Sequence, residues 1–181
     1  MDFSELVKQR FSARKYTGQP VKRELLEKCI EAARLAPSAS NSQPWHFVLV
    51  DEPELVKKVA AETWDRVLSF NKFAQSAAAI VVMVMEKPKV ITQLGGRIKN
   101  KEYPLIDIGI AAEHFCLQAT EEGLGTCMVG WFNEKPIKHL LNIPKNKTIG
   151  LLITVGYPNY NKQLQKKRKA FSEIVSYNSY K

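Results

Sequence analysis

Three short stretches of this 181-residue chain gather groups able to hold a ligand. The first is Arg10-Phe11-Ser12-Ala13-Arg14-Lys15. Guanidinium groups suit bidentate contacts to phosphate, and Ser12 adds a hydroxyl between them. Taken alone, the same residues also suit a solvated helix end. The second stretch is Ala36-Pro37-Ser38-Ala39-Ser40-Asn41-Ser42-Gln43-Pro44-Trp45. Its prolines stiffen the backbone, and its small polar side chains let a planar, polar-edged ligand approach closely. A surface turn would have a similar composition. The third is the basic run Lys166-Lys167-Arg168-Lys169 near the end of the chain.

Other arrangements of chemistry are missing from the sequence. It holds no Gly-x-Ser-x-Gly elbow, no Walker-type phosphate loop and no Gly-x-Gly-x-x-Gly fingerprint. His46, His114 and His139 are too scattered for a zinc motif, so no metal site is expected, and His114 reads as a hydrogen-bonded core histidine. Cys29, Cys116 and Cys127 are odd in number and lie in apolar surroundings, as reduced core thiols do. A chain without these groups can still be an enzyme if a cofactor carries the chemistry.

Periodicity predicts the elements that must position the three stretches. Phe3, Leu6 and Val7 have helical spacing, and Leu26, Cys29, Ile30 and Ala33 mark the buried stripe of a helix over 22–35. Strands are expected at 46–50, 78–85, 126–129 and 148–155. The continuous apolar run of the second implies burial on both faces, with helices above and below a sheet. Pro53 opens a helix predicted to run to about Leu68. Residues 86–104, with Gly95 and Gly96, read as a mobile excursion. Changing Tyr103 or deleting Gly95 and Gly96 is expected to alter acceptor preference and leave cofactor affinity nearly untouched. The helix over 107–122 has a stripe broad enough for burial or a subunit contact, and Gly123 sits where a left-handed cap is wanted. A short helix is expected over 134–141. No repeats or linkers appear, so one domain over 1–181 is expected.

The net charge of +9 is concentrated at the ends of the chain. Residues 1–23 hold six Lys/Arg against two acids, and residues 159–181 hold six against one; the part between them is neutral. Basic arms on a nucleic-acid binder would produce this pattern, and so would two termini converging on one small anion. The first residues carry acid where a secretory leader carries base, and the longest apolar run, Ala77–Met85, is too short to span a bilayer. A cytoplasmic protein without membrane contact is the expectation.

Ala36-Pro37-Ser38-x-x-Asn41-x-Gln43-Pro44-Trp45 after a helix and before an apolar strand resembles the signature of the FMN-dependent nitroreductase family. The resemblance covers nearly the whole chain. It implies an α+β, three-layer fold with a mixed, mainly antiparallel sheet, and an interlocked homodimer binding FMN at its interface. Arg10, Ser12 and Arg14 match the family's first FMN-contacting motif, with Phe11 where a second arginine is frequent. Asn71 resembles the asparagine at the flavin ring edge. Met128, Val129 and Gly130 lie where relatives present backbone amides to the ring. Lys166 and Arg168 resemble the basic cluster that closes on the phosphate, although Ala170 stands where proline often follows. Pro37, Ser38, Ser40, Asn41 and Gln43 would serve the other subunit's flavin.

The implied activity is ping-pong. NAD(P)H delivers hydride to flavin N5, then a nitroaromatic, quinone or related acceptor takes the electrons, with no side chain acting as a dedicated catalytic acid. A dehalogenase or enone reductase on the same fold is the alternative. A nucleic-acid-binding module explains the charge but not residues 36–45. The chain is too short for the long helical insert that shapes the substrate pocket of larger members.

Overall fold

Strand β2 (Ala79–Met85) is the axis of the structure because both of its faces are apolar and buried. In the computed structural model, which describes residues 1–65, 69–89, 92, 96, 98, 100–160 and 166–180, the two faces feed two separate cores. Ala79, Val81 and Met83 face one, and Ile80, Val82 and Val84 face the other. β2 pairs antiparallel with β1 (Trp45–Val50) on one side and with β4 (Thr148–Gly156) on the other. β3 (Gly125–Val129) pairs antiparallel with β4, giving the order β1-β2-β4-β3.

Helices cover both faces. On the first lie α2 (Arg23–Arg34), through Leu26, Cys29 and Ala33, and α4 (Tyr103–Glu121), through Ile108, Ala111, Ala112, Phe115, Cys116 and Ala119. On the second lie α3 (Pro53–Ala61), through Val56, Val59 and Ala60, and α5 (Glu134–Leu140), through Ile137. The three-layer α+β architecture follows from the patterning of β2 and β4. The parallel component of the sheet is slight: among the described residues it is the single bridge between Ser12 and Thr126. α1 (Phe3–Gln9) and α6 (Phe171–Ile174) bury none of their residues in the protomer.

Two expected boundaries move. α3 ends at Ala61, well before Leu68, which lies outside the described residues. Its last turn is drawn off by side chains and a neighbouring loop. The Thr63 hydroxyl donates to the Ala60 carbonyl at 2.7 Å, and the Asn133 amide donates to the Glu62 carbonyl at 2.7 Å. α4 begins at Tyr103, one turn before Asp107, with Pro104 in the first turn, where its missing N–H costs nothing. The excursion is thus shorter than 86–104; Gly95 lies outside the described residues.

The far end of α4 closes as expected. Gly123 takes φ 74°, the Gly123 amide donates to Thr120 and the Leu124 amide to Ala119, which is the Schellman pattern. Among the described residues no helix is long and apolar enough to cross a membrane.

Candidate functional site

The segment that follows α1 is laid along the edge of the sheet. The Ala13 amide donates to the Thr126 carbonyl at 2.8 Å, and Ser12 bridges Thr126. Gly125 permits this approach: a Cβ there would stand 2.7 Å from that of Ala13. The buried Tyr16 hydroxyl meets the Thr154 hydroxyl at 2.7 Å and donates to the Ala13 carbonyl at 3.0 Å, which locks the segment from behind. Phe11 turns its ring edge-on to Tyr160 at 5.3 Å, and the Arg14 amide donates to the Tyr160 hydroxyl at 2.6 Å. Phe11 is therefore an aromatic anchor, and Ser12 and the exposed Arg14 stand beside the start of β3.

Three cations meet next to this edge. Arg10 is paired with Glu113 of α4 at 3.1 Å, and the Lys166 ammonium donates to the Val7 carbonyl at 2.5 Å. Burial, then the charges of Arg10 and Arg168, push the Lys166 ammonium below the usual lysine range. The fields of Arg14 and Arg10 also reach Cys127 in β3. Arg168 donates to the neighbouring Lys167 carbonyl at 2.8 Å. The two basic ends of the chain converge, which favours the small-anion reading of the charge pattern.

At the other end of β3, Met128 and Gly130 are exposed while Val129 is buried. Asn71 is buried beside them and donates from its side-chain amide to the Trp131 carbonyl at 3.2 Å. Asn71 and the Met128–Gly130 backbone thus occupy one corner of the protein.

The Pro37–Gln43 loop has a different character. Ser40, Asn41 and Gln43 adopt φ of 51°, 50° and 47°, in the left-handed region that non-glycine residues seldom enter. The Ser38 hydroxyl accepts from the Gln43 amide at 2.9 Å, and the Gln43 side chain donates to Asn41 at 2.9 Å. Pro37, Ser40, Asn41 and Gln43 remain exposed. The loop's contacts outside itself run to Lys89, Thr92 and Asp107. About six residues of α4, roughly 9 Å of helix, separate Asp107 from Glu113, the residue that holds Arg10.

Sequence reasoning missed Glu113, Thr92, Lys89 and Tyr160. Glu113 is an acid on a largely apolar helix, but nothing local marks its partnership with Arg10. Thr92 and Lys89 lie in the excursion, whose weak periodicity hid them.

The thiols take no part: burial pushes Cys29 and Cys116 up to about 12 and raises Cys127. His114 is half-buried rather than in the core, with its Nδ1 3.3 Å from the Ala32 carbonyl. Among the described residues no group of His, Cys, Asp and Glu could hold a metal ion.

The nitroreductase family model matches residues 7–157, a span that includes the β3 edge, Asn71 and the strained loop. The chain belongs to the nitroreductase family. It is 29% identical to an oxygen-insensitive NADPH nitroreductase of Helicobacter acinonychis, with 85% of each chain covered. Its structure matches that of an FMN-dependent nitroreductase from Clostridium difficile R20291 with a TM-score of 0.79, at 26% identity, covering 97% of this chain and 98% of the other. An iodotyrosine deiodinase of Nematostella vectensis is 26% identical, with 96% of this chain and 74% of that protein covered.

The residues present fit the family's flavin. A phosphate would pair with the cations Arg10, Lys166 and Arg168 gathered beside the start of β3. The exposed backbone at Met128–Gly130 can face a flat polar edge.

Proposed function

We propose that this chain, as one domain over residues 1–181, is an FMN-dependent NAD(P)H oxidoreductase that works as a cytoplasmic homodimer on nitroaromatic, quinone or related acceptors. The observation that carries this reading is the convergence of Arg10, Lys166 and Arg168 beside the start of β3, the strand whose other end carries the exposed Met128 and Gly130.

In this reading Arg10, Arg14 and Arg168 bind the phosphate by charge-assisted hydrogen bonds, with Lys166 as a point charge and Ser12 as a neutral contact. FMN, when bound, would accept hydride from NAD(P)H and pass two electrons to the acceptor. The Met128–Gly130 backbone and Asn71 orient the ring, and the nearby cations favour its reduced, anionic form. Solvent supplies protons.

Exposed apolar residues support the dimer. Leu105 and Ile106 on α4 are about half exposed, and in the tail Phe171, Ile174 and Tyr177 are 65–75% exposed. A solitary protomer leaves this surface uncovered, whereas a second copy would bury it and bring its own Pro37–Gln43 loop to the flavin. Buried free thiols at Cys29, Cys116 and Cys127 suit a reducing compartment.

The purified protein should be yellow, bleach rapidly with NAD(P)H and run as a dimer. Excess FMN should raise its melting temperature, by about 2.7 kcal/mol of stabilisation at one hundred times Kd. A protein that takes up no flavin, or a folded monomer that binds FMN normally, would overturn the proposal. The deiodinase relative favours reductive dehalogenation as the second reading. Stopped-flow reoxidation with nitroaromatic, quinone and halophenol acceptors separates the two.

A further inference from the structure

Asp107 is a carboxylate that stability alone does not explain. It is 3% exposed, next to the core residue Ile108. Its Oδ1 accepts from the Ala39 amide at 3.1 Å, while its Oδ2 is buried without a partner. Leaving a buried polar atom unpaired is unfavourable, and an apolar side chain would avoid it. What that replacement would lose is the hold on Ala39.

Ala39 opens the strained loop, and its other peptide group is held as well. Ser42 and Thr92 share a hydroxyl contact of 2.8 Å, and Thr92 donates to the Ala39 carbonyl at 3.4 Å. Thr92 is itself buried, at 4% exposure. Lys89 adds a contact from its ammonium to the Ser40 carbonyl at 3.3 Å. The two peptide groups of Ala39 are thus gripped by residues distant in sequence, just before Ser40, Asn41 and Gln43 enter the left-handed region. Such backbone persists only where its surroundings over-determine it.

We propose that Asp107, with Thr92, is a positioning residue for the flavin ring: together they fix residues 38–43 in the shape that presents Ser40, Asn41 and Gln43 to a ligand. This rests on the flavin reading above.

The test titrates apoprotein with FMN and with riboflavin, for wild type and for Asp107→Asn, Asp107→Ala, Thr92→Ser and Thr92→Val. Asp107→Ala and Thr92→Val should weaken both flavins by the same factor, about tenfold for one lost hydrogen bond. Asp107→Asn keeps an acceptor for Ala39 and Thr92→Ser keeps the hydroxyl, so both should stay within about threefold of wild type. Amide hydrogen exchange on the same apoproteins gives a ligand-free readout. Asn41, Ser42 and Gln43 should exchange faster in Asp107→Ala, and at the wild-type rate in Asp107→Asn.

Wild-type flavin affinity in Asp107→Ala, a loss confined to FMN, or no rescue by asparagine would each overturn the inference. If wild type binds neither flavin while the exchange pattern holds, the function reading fails and the positioning role of Asp107 stands. Faster exchange throughout the sheet would mark a general loss of fold, and Thr92→Val then decides.

Discussion

The two halves of the candidate site are built on opposite principles. The Pro37–Gln43 loop is held taut: its unfavourable backbone is tied by hydrogen bonds within itself and to Thr92 and Asp107. The basic cluster instead gathers like charges. Arg10, Lys166 and Arg168 repel one another, Glu113 balances only part of their charge, and Arg168 is bonded to its own neighbour. A flat ring edge rewards a preformed surface, because any ordering on binding would subtract from affinity. In the proposed reading a phosphate would instead supply the charge that balances the cluster. One half is thus a cluster of like charges and the other a taut loop.

The comparison breaks most visibly at the phosphate side. Arg168→Ala should weaken FMN binding by about 1.5–3 kcal/mol, as expected for a charged hydrogen bond, while riboflavin affinity hardly changes. Equal losses for both ligands would mean that Arg168 does not address the phosphate. Fluorescence titration of the apoprotein reads both.

On the taut side, a β-branched residue at Ser40 should be resisted by the backbone itself. Ser40→Val is expected to cost about 1–3 kcal/mol of stability, because its φ of 51° is most hostile to such side chains. Thermal unfolding checks this; a melting temperature equal to that of wild type would show that the loop relaxes freely.

Asp107 sharpens the contrast through pH. Burial raises its carboxyl above the usual aspartate range. A raised acid contributes stability below its unfolded value and loses that contribution as pH rises through its folded one. Asp107→Asn does not titrate. Its melting temperature relative to wild type should therefore grow as pH rises through the aspartate range toward neutral. A difference that is flat in pH would mean that the carboxyl is not destabilised by its surroundings.

The smallest effect is expected at Glu113, which competes with any anion for Arg10. Glu113→Gln should tighten FMN binding by less than about 1 kcal/mol, since the pair is partly exposed, and should leave riboflavin unchanged. Weaker FMN binding would make Glu113 an orienting partner of Arg10 instead.

Much of the fold was legible because patterning is local. The unbroken apolar run of β2 demanded cover on two faces, and the stripes on α2 and α4 supplied half of it. Gly123 marked its own cap. The end of α3 was not legible, because its last carbonyls are taken by Thr63 and by Asn133, the latter far along the chain. The start of α4 was missed because residues 86–104 lack clear periodicity; Pro104 sits in the first turn of the helix.

For the site, the sequence by itself determined the inventory: guanidinium groups at Arg10, Arg14 and Arg168, and a proline-bounded loop of small polar residues. It also placed the positive excess at the chain ends, since charge is a property of composition. Only the tertiary structure decided that those ends meet, that Glu113 meets Arg10, and that Asp107 and Thr92 hold Ala39. These are contacts between residues remote in the chain, set by how α4 packs across the sheet, and no local periodicity encodes which side chains that packing brings within hydrogen-bond range.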